Sequence, residues 1–234
     1  MPFFHFVYYF FSLHIVEWVK KMRIVIYDSG YGLLPFYFGL LKLKKAHTYF
    51  LEMEDKLFPL GEKSEDVLRK YAKKKLAGWK RKKVDHVYVI CNTFSLILKK
   101  VIHEPLPFQM HYIIDYTLKM EPKKQITLMG TCQTTKQLKE KGYILKDASD
   151  LVRYIEEQNI IEIIRWLKAQ TFSTPYLLLA CTHFSLIAFL FAIYFPQLTL
   201  LDPYQSMLNE VPPGKQFKVN MNHKARRVIK SFQK

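Results

Sequence analysis

The chain has 234 residues, 50% hydrophobic and 15% aromatic, which excludes a disordered or fibrous protein and suffices for one sizeable core or two small lobes around a cleft. Against 20 Asp and Glu stand 36 Lys and Arg, a net charge of +16 whose field draws small anions, nucleic acid or anionic lipid. Those cations are mostly lysine and are scattered over polar faces and turns, with no zinc-finger spacing or aromatic RNA-binding motif. A solvated basic surface is therefore expected, and no specific nucleic-acid site.

The first 21 residues, MPFFHFVYYFFSLHIVEWVKK, are crowded with aromatics and free of turn signals. Membrane contact is not expected of them. The apolar run is short for a span, contains two histidines, and has neither a positive leading region nor a small-residue cleavage site. Two readings stay open: a core or interface helix, or an extension ahead of a start at Met22, since MRIVIYDSG reads as the normal opening of an α/β domain.

Next come short apolar runs that end in polar or small residues. RIVIYDSG (23–30), HVYVICNT (86–93), QITLMGT (125–131) and YLLLACTH (176–183) are the strong ones, and MHYIID (110–115) and LTLLD (198–202) the weaker. Continuous apolar strands of this length are buried on both faces, and their alternation with helical stretches predicts parallel sheets with crossover helices. Between the first two lies an irregular stretch, Leu34 to Phe58, whose acids Glu52, Glu54 and Asp55 have no assigned place. Ser64, followed by Glu65 and Asp66, opens a helix to about Trp79, with acids first and lysines last as the helix dipole favours. Asp150 to Lys168 reads as one long amphipathic helix, and Phe184 to Tyr194, apolar all round, as a buried helix ended by Pro196.

In open parallel sheets ligands bind outside the carboxyl ends of the strands. That rule gathers Asp28-Ser29, Cys91-Asn92-Thr93, Gly130-Thr131 and Cys181-Thr182-His183 along one rim, where helix N-termini suit a carboxylate or phosphate. Three cysteines with no C-x-x-C pair suggest neither a disulfide framework nor a thiolate metal site, so reduced thiols and a cytoplasmic protein are expected. Cys91 and Cys181 stand in matching contexts 90 residues apart, each after an apolar run and each with a threonine within two residues after it. At a helix N-terminus a cysteine's pKa is expected to fall, making thiolate available near neutral pH. Two lobes each giving one thiol to a shared cleft could take a proton from one face of a carbon and return one to the other. The plain alternatives are buried cysteines acting as small hydrophobes, and Ser, Thr and Asn acting as ordinary helix caps.

YDSGYGLLPF resembles the DSGxGG opening of glutamate racemases, FPLGEKS their PYGxKS loop, VICNTF and LACTHFSL their two cysteine motifs, LMGTCQTT their GTxxT segment, and LLD (200–202) the aspartate that follows their last core strand. The similarity runs in order from Arg23 to about Ser206. It implies the aspartate/glutamate racemase-like fold: two pseudo-symmetric α/β lobes with parallel sheets flanked by helices and the active site in the cleft between them. The first lobe is expected to be 22–112 completed by 203–234, and the second 113–202. The implied activity is cofactor-free and metal-free interconversion of L- and D-glutamate for peptidoglycan synthesis. Cys91 and Cys181 would serve as the two bases, Asp28 assisting Cys91, and His183 and Glu156 (with Glu157 as the register alternative) assisting Cys181. Ser29, Leu60, Gly61, Asn92, Thr93, Thr131 and Thr182 would join Asp28 and His183 around the substrate, and a homodimer is common in the family. Two departures stand out: Leu60 replaces the loop tyrosine and Leu33 the second glycine of DSGxGG. They keep open an aspartate or other amino-acid racemase, and an inactive homologue that binds nucleic acid or protein through its basic surface.

Overall fold

The structure, a computed structural model, describes residues 21–43, 45–54, 56–120 and 125–232. The aromatic segment 1–20 lies outside the described residues, as do Asp55, Lys123 and Lys124. In chain order the elements are β1 (Arg23–Asp28), α1 (Leu33–Lys42), β2 (Lys45–Met53), α2 (Glu65–Arg81), β3 (His86–Val89), α3 (Asn92–Val101), β4 (Gln109–Tyr112) and α4 (Ile113–Lys119). There follow β5 (Ile126–Gly130), α5 (Cys132–Gln137), β6 (Ile144–Asp147), α6 (Ser149–Glu156), α7 (Ile160–Lys168), β7 (Tyr176–Leu179) and α8 (Thr182–Ser185). Last come α9 (Ala188–Tyr194), β8 (Thr199–Leu201), α10 (Tyr204–Asn209), β9 (Gly214–Met221) and α11 (His223–Ser231).

The strands form two all-parallel sheets, one in the order β4-β3-β1-β2-β9 and the other β6-β5-β7-β8. The continuous apolar runs follow from burial on both faces, because successive side chains of a strand point to opposite sides. In β1, Ile24 and Ile26 enter the core under α1 and α11, while Val25 and Tyr27 enter the one under α2 and α3. In β7, Leu177 and Leu179 face one core of the second sheet, and Leu178 the other, with Ala180 just beyond the strand on the same side as Leu178. Each of these fully buried aliphatic side chains contributes roughly 1.5–3 kcal/mol of burial.

Two helical expectations are corrected. Asp150 to Lys168 is not one helix: α6 ends at Glu156, Gln158 takes a positive φ of 55°, and Asn159 caps α7 by accepting from the Glu162 N–H at 3.2 Å. The cap supplies what the broken turn loses. Phe184 to Tyr194 is likewise two helices rather than one buried one, and Phe189 and Ile193 of α9 are exposed. The stretch after Leu34 forms α1 and β2, and it fixes two of its three acids outside the cavity that the cysteines line. Glu52 is buried against Lys75, Lys82 and the Trp79 indole, and Glu54 accepts from the Tyr71 hydroxyl.

Candidate active site

The carboxyl ends of β1 and β3 in one sheet face those of β5 and β7 in the other, and the polar residues after each strand meet there. Cys91 is the N-cap of α3 and Cys181 that of α8, so two parallel strands, one from each sheet, deliver a thiol in the same structural position. Both sulfurs line one cavity. The interior space open to water is about 20 Å³, roughly the room of one water molecule.

On the first side, the Ser29 hydroxyl lies 3.5 Å from Cys91 Sγ. Asp28, fully buried, accepts from the Gly30 N–H at 2.8 Å through Oδ1 and from the Thr182 hydroxyl at 2.8 Å through Oδ2. It therefore ties the first sheet to the segment after β7 and acts on Cys91 through its charge, not by a hydrogen bond. Burial raises the Asp28 pKa against the opposing pull of His183 and its two hydrogen-bond donors. The expected low thiol pKa is overturned at Cys91. Burial and then the Asp28 charge push it up to about 12, outweighing the Ser29 hydroxyl and the Phe94 N–H. Dry packing among Tyr27, Val89 and Phe94 overrides the helix N-terminus.

On the second side, Cys181 Sγ lies 3.6 Å from His183 Nδ1, and His183 Nε2 lies 2.8 Å from Glu156 Oε1. Burial disfavours the imidazolium, but the hydrogen bonds and charges of Cys181 and Glu156 prevail and hold the His183 pKa well above its ordinary value. Glu156 also accepts from the Tyr31 N–H, whereas Glu157 is exposed, so of the two it is Glu156 that reaches His183. The end of α6 at Glu156 is what turns that carboxylate toward the imidazole.

Of the residues expected around the substrate and the two thiols, Ser29, Leu60, Gly61, Cys91, Asn92, Thr93, Thr131, Cys181, Thr182 and His183 line this cavity, Asp28 and Glu156 bond to lining residues from behind, and Gly130, Glu157 and Asp202 do not line it. Thr93 lies 2.9 Å from Thr131 and 3.0 Å from Thr134, hydroxyl to hydroxyl, a bridge between the sheets. Asn92 accepts from Thr117 at 2.9 Å, which leaves its buried Nδ2 with no partner among the described residues and marks it as a donor for a ligand. Leu60 brings no polar atom: its side chain is buried among Tyr27, Leu68 and Phe94. Leu33 opens α1 and is fully buried, so the second glycine is not needed for backbone freedom.

Three glycines are required for space. A Cβ on Gly30 would overlap Glu156 Oε1, one on Gly32 would overlap Thr182 Oγ1, and one on Gly61 would come within 2.5 Å of Thr131 Cβ. Sequence reasoning missed Phe58, Pro59, Val152 and Ala180 in the wall, because apolar residues carry no chemical signal. It also missed Thr134 and Thr117, although Thr134 stands in the quoted GTxxT segment. Among the described residues, no three His, Cys, Asp or Glu side chains cluster as a metal would require, and no helix is long and apolar enough to cross a membrane.

No protein-family model matches the chain. A glutamate racemase of Actinobacillus pleuropneumoniae serotype 3 is 29% identical, over 82% of this chain and 81% of the relative, and one of Aquifex pyrophilus is 28% identical, over 71% and 72%. Among solved structures, glutamate racemase from Thermus thermophilus in complex with β-chloro-D-alanine superposes with a TM-score of 0.75 at 20% identity, covering 90% of this chain and 92% of that one.

Proposed function

We propose, from the premise that this chain is a member of the aspartate/glutamate racemase superfamily, that it interconverts L- and D-glutamate by proton transfer at the α-carbon between two cysteines. The observation that carries the reading is the pair of helix-capping thiols, one from each sheet, in a single buried cavity, each with its own polar support. Since Cys91 is pushed up to about 12, it keeps its proton near neutral pH and cannot be the first base. The resting site therefore takes the enantiomer whose α-hydrogen faces Cys181. Cys181 removes that hydrogen beside the His183 imidazolium, and Cys91 returns a proton to the opposite face. In the reverse direction the roles exchange. Asn92 Nδ2 and the Thr93 hydroxyl supply donors for a carboxylate, while Asp28 fixes Thr182 and Glu156 fixes the imidazole beside Cys181.

The division into a first lobe of 22–112 with 203–234 and a second of 113–202 is supported by the sheets, since β9 returns from the C-terminus to pair with β2. Supply of D-glutamate for peptidoglycan, a cytoplasmic place and a second copy of the chain as partner go with this reading, and sedimentation equilibrium tests the last. Aspartate is the second reading, favoured by the apolar Leu60 and the narrow cavity. Chiral chromatography after incubation with L-glutamate and, separately, L-aspartate discriminates the two. D-glutamate is expected as the faster product. D-aspartate alone would establish the second reading, and neither product, with salt-sensitive nucleic-acid binding, would establish the inactive basic homologue.

A further inference from the structure

Among the described residues the cavity wall contains no lysine or arginine, and two carboxylates, the buried Asp28 and the partly buried Glu156, stand just behind it. An acidic amino acid brings two further carboxylates into that space and one ammonium. The unpartnered Asn92 Nδ2 and the N-terminus of the ten-residue α3 suit one of them. Phe58, Pro59 and Leu60 of the wall offer the other no polar side chain, and a carboxylate left without a partner is strongly disfavoured.

Behind that wall is Lys224, the second residue of α11. It is only 8% exposed, and its ammonium stands 4.7 Å from the centroid of the Phe58 ring. The same ring lies 6.1 Å from that of His183. Lysine is almost never this buried unless paired, and among the described residues Lys224 has the face of Phe58 but no carboxylate. Its position is firm. Asn222 caps α11 by accepting from the Ala225 N–H at 3.0 Å and is bound to Met53 of β2, and Ala225, Val228 and Ile229 are packed in the core of the first sheet. The cation is thus held beside the part of the wall that Phe58 forms.

The geometry points to Lys224 as the group that receives the side-chain carboxylate of the substrate, the Phe58 ring turning aside so that ammonium and carboxylate meet. This rests on the reading of the cavity as a site for an acidic amino acid. It makes the last helix of the chain part of substrate selection, although no motif of the sequence marks it.

Steady-state racemisation of L-glutamate by the full chain, with Lys224→Met and Lys224→Arg beside the wild type and thermal unfolding of all three, tests it. Lys224→Met should raise KM by about tenfold or more with kcat within about threefold, and Lys224→Arg should keep KM within about threefold. An unchanged KM in Lys224→Met overturns the inference. So does an equal rise in KM in both variants with a lowered Tm, which would make Lys224 a packing residue. A wild type that racemises neither enantiomer of glutamate overturns the reading of the site together with this one, whereas an active wild type with an indifferent Lys224→Met overturns only this one.

Discussion

At the scale of single residues, the site is built by contacts that leave no room for a methyl group. Gly32 lets the Thr182 hydroxyl reach Asp28, and a Cβ there would overlap Thr182 Oγ1 and stand 3.0 Å from Asp28 Oδ2. Gly32→Ala should therefore lower kcat by roughly 100-fold, as a displacement of about 1 Å does in an organised site, while the fold survives. Circular dichroism of the variant with steady-state kinetics checks both halves. The thiol at Cys91 teaches a related lesson. The sequence places it at a helix N-terminus, which argues for a lowered pKa, but burial beside Asp28 wins and sends it up to about 12. A neighbouring strand residue tells which motif a cysteine belongs to. It does not tell how dry the pocket is.

At the scale of elements, the break between α6 and α7 is the feature that periodicity concealed, because the apolar positions on both sides of Gln158 keep helical spacing. Its function is to end α6 at Glu156 and bring that carboxylate to His183. Asn159→Ala removes the cap of α7 and should cost about 1 kcal/mol in urea denaturation. Glu156→Gln should act on pH dependence. His183 has a raised pKa, so its imidazolium persists above the range in which a free histidine loses its proton. Removing one of the two groups that raise it moves the loss of the imidazolium, and the alkaline limb of kcat/KM, to lower pH. An alkaline limb left in place would separate His183 from the reaction. Strands β1, β3, β5 and β7 were legible because both faces are buried and their residues are therefore mostly apolar. By contrast β2, with Lys45, His47 and Glu52, and the edge strand β9, with Lys215 and Lys218, carry charge and mask the pattern.

For the whole molecule, the two sheets are joined by short polar bridges at the strand ends, notably Thr93 with Thr131 and Asp28 with Thr182, and by apolar packing of Ile114 in one cluster with Ile126 and Leu128. The C-terminal segment completes the first sheet through β9 and packs α11 on its core, so its loss is felt far from the end of the chain. Ile229→Ala, fully within that core, should destabilise by about 2–5 kcal/mol in urea. The order of motifs from Arg23 to Ser206 was enough to read the α/β class and the cluster of polar residues around the cysteines. The role of α11 was not legible, since its placement against Phe58 depends on a hydrogen bond between residues 169 apart, from Asn222 Nδ2 to the Met53 carbonyl. The central claim is tested most directly by exchange of the α-hydrogen of L- and D-glutamate with solvent deuterium, in the wild type, Cys91→Ser and Cys181→Ser. Two-thiol catalysis predicts deuterium incorporation with inversion in the wild type and a severe loss of racemisation in both directions in each variant. Wild-type exchange and racemisation retained in both variants would contradict it.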